Sequence, residues 1–138
     1  MSGKNLSILT FNFVSIPFVS KNLRIRLDCL VKEIKRIQPD IICFQEIWLG
    51  YIRKRLIFSL RPLGYQFYYP TPGAFFNGLL TCSKYNFSPV KALDLKGTFN
   101  GFNRLLIESL GSKGYSLIKI KLPNKKKLFA FNTHLSCH

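Results

Sequence analysis

The chain has 138 residues, of which 47% are hydrophobic, and it carries 21 basic against 6 acidic residues, for a formal net charge of +15. This length allows one domain, and the hydrophobic fraction excludes a disordered chain. The excess of positive charge predicts attraction to polyanions, such as nucleic acid, anionic membrane surfaces or phosphorylated substrates. A compositional bias of the genome is the alternative explanation of the same charge.

Apolar periodicity and turn residues predict strands that alternate with helices at first and mainly strands afterwards. Strands are predicted over residues 6–12, 41–45, 66–69, 78–83, 105–108, 115–122 and 128–132, and helices over residues 22–38 and 49–61. Residues 84–96 are ambiguous and are interpreted as an edge strand. Ser20 is the predicted N-cap of the first helix, and Pro39 ends that helix. This order predicts an α/β layered fold with a mixed β-sheet.

No apolar run approaches the length that spans a bilayer. Polar residues interrupt the apolar segment near the start of the chain, and no small-residue cleavage site follows, which argues against a signal peptide. We therefore expect a cytoplasmic protein or a secreted effector. Cys29, Cys43 and Cys82 lie in apolar stretches and predict buried thiols of a reduced compartment.

Polar side chains follow three of the predicted strands, at the point where each strand ends. Glu46 closes the apolar run 41–45, Asn12 closes the first strand, and Asn132 and His134 stand at the end of the last. A buried carboxylate is costly unless it has a partner, and a cation is a common one. These residues predict one polar site at a common sheet edge. For Glu46 a salt bridge to a basic residue is the structural alternative, and for His134 it is a hydrogen-bonded structural histidine.

Three segments together resemble motifs of the endonuclease/exonuclease/phosphatase superfamily. They are Leu-Thr-Phe-Asn at residues 9–12, Pro-Asp-Ile-Ile-Cys-Phe-Gln-Glu at residues 39–46 and Asn-Thr-His-Leu at residues 132–135. Residues 76–84 resemble a glycine-led strand of the superfamily, and residues 112–118 resemble a Lys-Gly strand of its neutral sphingomyelinase branch. The resemblance implies two packed β-sheets flanked by helices and a Mg²⁺-dependent attack of water on a phosphodiester.

The resemblance also implies roles for individual residues. Glu46 and Asn12 correspond to metal-binding positions, with Mg²⁺ or Mn²⁺ as the cation, because such hard ions take few protein oxygens. Asn12 and His134 correspond to catalytic positions at the scissile phosphate, where a histidine can donate or shuttle a proton. Asn132 and His134 correspond to phosphate- or substrate-binding positions, although Asn132 also suits fixing the local backbone. Gln45 is interpreted as a positioning neighbour rather than as a ligand.

Two motifs of the superfamily are absent from the chain, namely Gly-Asp-x-Asn and Ser-Asp-His. We therefore interpret residues 1–138 as a truncated domain that supplies about half of the four-layer fold and the first half of the site. Its metal should bind weakly, and its missing partner should be the C-terminal half of the domain. Whether the reading frame continues past His138 into these motifs separates a fragment from a natural truncation.

The truncated interpretation carries two further expectations. We expect a partial α/β sandwich with one mixed, mostly antiparallel β-sheet, in which residues 41–45 and 115–122 keep a partly exposed apolar face because a covering sheet is missing. We also expect the chain alone to hydrolyse phosphodiesters, whether lipid or nucleic acid, poorly or not at all. The alternative function is a non-catalytic basic module that binds nucleic acid or an anionic membrane surface through charge.

Overall fold

Seven strands and two α-helices make up the part of the chain that a computed structural model describes, residues 5–16, 20–71, 78–95, 113–123 and 125–135. The elements are β1 (Ile8–Asn12), α1 (Leu23–Ile37), β2 (Ile41–Gln45), α2 (Gly50–Leu60) with a 3₁₀ turn (Arg61–Leu63), β3 (Phe67–Pro70), β4 (Leu80–Ser83), β5 (Phe87–Leu95), β6 (Lys113–Lys121) and β7 (Lys127–His134). The predicted strand at residues 105–108 lies outside the described residues. The remaining predicted elements occur, the strand at residues 41–45 with the predicted boundaries and the others with boundaries shifted by at most three residues.

The strands form two sheets rather than one. The first sheet has the order β1-β2-β4-β3, in which β1 and β2 run parallel and the other pairs antiparallel. The second sheet has the order β5-β6-β7 and is antiparallel throughout, with an irregularity in β5 between Pro89 and Lys91. The ambiguous segment 84–96 therefore supplies an edge strand, and it belongs to the second sheet. The α/β class that the element order predicts is confirmed.

Helix α1 follows from its amphipathic pattern, because Leu27, Leu30 and Ile34 recur on one face and are buried. The prediction that Ser20 caps this helix is wrong. Asn22 is the N-cap, in a left-handed conformation and without a side-chain cap hydrogen bond, while the Ser20 hydroxyl donates to the Val14 carbonyl. The same hydroxyl accepts from the Ile16 amide at 2.9 Å, so contacts with the residues that follow β1 occupy it.

Strand β2 is buried on both faces, and its two faces belong to different parts of the core. Ile42 and Phe44 pack with the buried residues of α1 and α2, whereas Ile41 and Cys43 pack against the second sheet. From the second sheet, the residues in this contact are Ile118, Ile120 and Ala130. The expectation that no second sheet covers residues 41–45 and 115–122 is therefore wrong, because β5 to β7 supply that cover themselves.

Apolar surface remains exposed elsewhere. Phe129 and Phe131 on the outer face of the second sheet are 56% and 57% exposed. A groove of about 440 Å³ runs between α1 and the edge strand β1, lined by Leu9, Phe11 and Cys29 among others. Cys29 is exposed there, so the prediction that it is buried is wrong, while Cys43 and Cys82 are buried as predicted.

No helix within the described residues is long and apolar enough to cross a membrane.

Candidate active site

Glu46 directly follows β2, and its backbone leaves the extended conformation there. Its φ angle is 57°, in the left-handed region, which is unusual for a residue with a side chain. Gly78 approaches this turn so closely that a Cβ atom on it would lie 2.8 Å from the Glu46 Cα. The amide of Ile47 donates to the Gly78 carbonyl at 2.9 Å. The turn that presents the Glu46 side chain therefore depends on a glycine at position 78.

Three nitrogen donors, two of them remote in the chain and one two residues away, surround the Glu46 carboxylate. Asn12 Nδ2, at the end of β1, donates to Oε1 at 2.7 Å. His134 Nε2, at the end of β7, lies 3.2 Å from the same oxygen. Trp48 Nε1 makes a long hydrogen bond of 3.5 Å to Oε2. The side chains of Glu46 and His134 are only 14% and 16% exposed, so the pair is largely enclosed.

This environment favours the ionised carboxylate. The hydrogen bond from His134 is the largest influence and, with the one from Asn12, lowers the pKa of Glu46 to about 2 against the opposing effect of burial. Glu46 is therefore an anion at neutral pH. An enclosed carboxylate with nitrogen donors on one side is a strong acceptor for a cation or for further donors.

The structure thus brings together three of the predicted site residues, Asn12, Glu46 and His134, but not at the edge of one sheet. Asn12 and Glu46 terminate strands of the first sheet, whereas His134 terminates β7 of the second. The two sheets pack face to face with these ends adjacent. The expectation that these residues share the edge of one sheet is therefore wrong. They meet at one end of a sandwich of two sheets.

Asn132 lies beneath this cluster and is 2% exposed. Its Nδ2 donates to the Phe44 carbonyl and to Thr81 Oγ1, both at 3.2 Å, and its Oδ1 accepts from Gln45 Nε2 at 2.8 Å. These contacts occupy both ends of the amide within the protein. Its assignment as a substrate-binding residue stays a prediction, and the geometry gives it a place in the contact between the sheets.

Comparison with known proteins identifies the family of the chain. The model of the "Endonuclease/Exonuclease/phosphatase family" matches residues 14–120. The chain belongs to this family. Family members are phosphodiesterases and phosphatases that generally depend on a divalent metal. The match covers the turn of Glu46 and most of both sheets.

Relatives of known sequence or structure agree with the family. The "Putative neutral sphingomyelinase" of Drosophila melanogaster is 30% identical over 135 residues, which are 94% of this chain and 29% of that protein. A β-hairpin deletion mutant of the beta toxin of Staphylococcus aureus matches with a TM-score of 0.69 at 15% identity, over 94% of this chain and 51% of that one. TDP2 of D. rerio, complexed with a single-strand DNA product, matches with a TM-score of 0.65 at 18% identity, over 96% and 47%.

At these identities the two structures show a shared fold and nothing finer. The chain spans under a third of the curated relative and about half of the two solved structures. The fold of this family member is therefore partial with respect to its relatives, as the absence of the two family motifs predicts.

The family uses a divalent cation, and the ligand atoms at this site suit such a cation only in part. Mg²⁺ takes hard oxygen ligands, often one or two carboxylates, and keeps several waters. Glu46 supplies one carboxylate, while Asn12 turns its Nδ2 toward that carboxylate and its Oδ1 toward the Val14 amide at 3.1 Å. Within the described parts of the chain, no three His, Cys, Asp or Glu side chains form a metal-binding cluster. The residues fit a cation held by one carboxylate, and the assignment of Asn12 as a ligand stays a prediction.

Three residues of the site, Ser15, Trp48 and Gly78, were not found from the sequence. The buried Ser15 accepts from the Trp48 amide and donates to the Glu46 carbonyl, each at 2.8 Å, and so fixes the turn after β2. Trp48 contacts both the carboxylate and the His134 ring, with ring centroids 6.3 Å apart. For Trp48 a signal existed, since it is the single tryptophan and lies two residues after Glu46. Gly78 lies in the segment that resembles the glycine-led strand, but nothing local indicates its approach to Glu46, and the Ser15 hydroxyl bonds backbone groups more than 30 residues away.

Proposed function

We propose that the chain is the N-terminal half of a divalent-metal-dependent phosphodiester hydrolase of the sphingomyelinase-like branch. The observation that carries the proposal is the enclosed, ionised Glu46 with Asn12 and His134 within hydrogen-bond distance. The similarity to a protein named as a neutral sphingomyelinase supports the branch. Nucleic acid stays the second substrate class, because one structural neighbour was solved with a DNA product.

In this proposal each residue has one task. Glu46 holds the cation, Mg²⁺ or Mn²⁺, which when bound stabilises negative charge on the phosphoryl oxygens. Asn12 and Trp48 hold the carboxylate in place through their N–H groups. His134 would hold a proton beside a phosphate oxygen or a leaving group, and the 3.2 Å contact of its Nε2 with Glu46 supports a role at the same site. The missing C-terminal half of the domain is the proposed partner that completes the site.

The first experiment measures Mn²⁺ binding to the 138-residue chain by quenching of Trp48 fluorescence, with Glu46→Gln as the matched control. Weak but saturable quenching that disappears in Glu46→Gln supports the proposal, because the variant keeps the shape of the side chain and removes its charge. Identical titrations of the two proteins would contradict the proposed metal site.

The second experiment measures Mg²⁺-stimulated hydrolysis of sphingomyelin and of plasmid DNA, beside Glu46→Ala. We expect little or no turnover, because losing a group that activates the attacking water typically costs about 10²–10⁴-fold. Catalytic groups also act together, so part of a site does not give a proportional part of the activity. Strong activity that Glu46→Ala abolishes would show that the 138-residue chain already forms a complete site.

A non-catalytic, polyanion-binding function is the second candidate, and the distribution of charge favours it. Basic side chains are exposed along α1, on α2 and at the turn between β6 and β7, among them Arg24, Lys35, Arg36, Lys54, Arg55 and residues 125–127. Binding to neutral choline-lipid vesicles and to single-stranded DNA at physiological salt separates the candidates. Retention by DNA alone would argue against the sphingomyelinase-like branch.

A further inference from the structure

A chain of amide hydrogen bonds joins the two sheets directly behind the Glu46–His134 pair. Gln45 Nε2 donates to Asn132 Oδ1 at 2.8 Å, and Asn132 Nδ2 donates onward to the Phe44 carbonyl and to Thr81 Oγ1. The orientation of the Asn132 amide is determined, because the backbone carbonyl of Phe44 can only accept. This amide bridge, Gln45 with Asn132, therefore links β2 and β4 of the first sheet to β7 of the second.

The bridge residues are close in sequence to Glu46 and His134, so the bridge can affect the positions of both. Gln45 is the residue before Glu46, and Asn132 stands two residues before His134 on the same face of β7. The 3.2 Å contact between Glu46 and His134 joins two sheets that share no backbone hydrogen bonds within the described strands. Apolar packing of Ile41 against the second sheet is non-directional. It holds the two sheets together but does not fix the offset of one sheet along the other. A short, partly buried hydrogen bond such as that from Gln45 to Asn132 is directional and fixes that offset.

We propose that Gln45 and Asn132 are positioning residues whose amide bridge sets the offset of the two sheets and thereby the separation of Glu46 from His134. The inference rests on the proposed function, since it concerns the same site. Neither residue has to touch substrate or metal for this role. Groups behind metal ligands that orient them are typically worth about 10–100-fold in metal affinity.

The test uses the 138-residue chain and three variants. Gln45→Met keeps the length of the side chain and removes the donor to Asn132, together with the longer contacts of the same Nε2 to Thr10 Oγ1 at 3.1 Å and to the Cys43 carbonyl at 3.2 Å. The other hydrogen bonds of Asn132 stay intact. Asn132→Ala removes the bridge at its buried end and also leaves the Phe44 carbonyl and Thr81 without their donor. Thr133→Val is the matched control, because it removes one hydrogen bond from β7, Thr133 Oγ1 to the Gly114 carbonyl at 3.0 Å, within the second sheet.

Two readouts separate positioning from stability. The first is Mn²⁺ affinity, followed by Trp48 fluorescence, and we expect Gln45→Met to weaken it about tenfold while Thr133→Val stays within about twofold of the wild type. The second needs no metal: the nuclear Overhauser effect between the Trp48 and His134 rings, which contact edge to face, should weaken in Gln45→Met and persist in Thr133→Val. Thermal unfolding of each variant records the loss of stability.

Each outcome decides the inference. Wild-type affinity and an intact ring contact in Gln45→Met would overturn it, and so would equal losses in Gln45→Met and Thr133→Val. If the wild type binds no Mn²⁺ through Glu46, the proposed function fails, and the metal-free ring contact still decides whether the bridge positions the pair. If Asn132→Ala does not fold, Gln45→Met carries the test alone.

Discussion

The sharpest consequence of the structure concerns Gly78, whose backbone supports the turn that presents Glu46. In Gly78→Ala the new Cβ would lie 2.8 Å from the Glu46 Cα and 3.1 Å from the amide nitrogens of Glu46 and Ile47. All three atoms belong to the backbone, so no side-chain rotation relieves the contact. Ordinary contact begins at 3.4 Å, and the difference, 3.4 − 2.8 = 0.6 Å, is the displacement that β4 and the Glu46 turn must share.

The expected loss of stability follows from two opposing effects. Overpacking of this kind costs about 1–3 kcal/mol. The replacement of glycine by alanine restricts the unfolded chain, which offsets about 0.4–1 kcal/mol. The net destabilisation therefore lies between about 0 and about 2.6 kcal/mol. Its midpoint of about 1.3 kcal/mol corresponds to about 4 °C in the melting temperature of a chain of this length. The turn that presents Glu46 moves as well, so Mn²⁺ affinity should fall in the same variant.

Gly50→Ala is the matched control, because no atom lies within 4 Å of a Cβ at this first residue of α2. Alanine is a better helix former than glycine by about 1 kcal/mol, so this variant should be unchanged or slightly more stable. Urea unfolding of both variants and of the wild type gives the comparison. The reasoning is refuted if Gly78→Ala unfolds at the same urea concentration as Gly50→Ala, because the backbone would then have accommodated the Cβ without loss.

Three further predictions follow from exposure and charge. Iodoacetamide at about pH 8 should label the exposed Cys29 and spare Cys43, because burial raises the pKa of Cys43 to about 11 and keeps its thiol protonated at pH 8. Mass spectrometry of peptides checks this, and rapid labelling of Cys43 would contradict its burial. Phe129→Thr on the exposed face of the second sheet should reduce light scattering during concentration, since exposed apolar patches promote association. Replacing residues 125–127 with alanine should lower the salt dependence of DNA binding more than Lys32→Ala does. The slope of log affinity against log salt concentration should fall by about one unit for each DNA phosphate that is no longer neutralised.

Much of the fold could be predicted from the sequence alone, because its signals are local. The helical period of α1, the uninterrupted apolar run of β2 and the stop at Pro39 depend on neighbours within a few residues. The candidate site residues Asn12, Glu46 and His134 could be chosen in the same way, since each stands where an apolar strand ends. Their order along the chain also carried the resemblance to the family.

The arrangement of those elements was decided by tertiary structure. No local pattern indicates that residues 87–95 join β6 and β7 in a second sheet, since strand pairing depends on burial that a single strand does not encode. Cys29 stands in an apolar stretch that predicts burial, yet it lines a groove beside β1, the edge strand of the first sheet as far as the structure describes it.

The same division holds within the site. The residue types of Asn12, Glu46 and His134 are readable in the chain, because a polar side chain after an apolar strand is a local pattern. Their separations are not, since Glu46 and His134 meet across two sheets and the turn between β2 and α2 requires a glycine far along the chain at position 78. Sequence specifies which groups are present, and packing of the two sheets determines the distances between them, because those distances are set by contacts between residues remote in the chain.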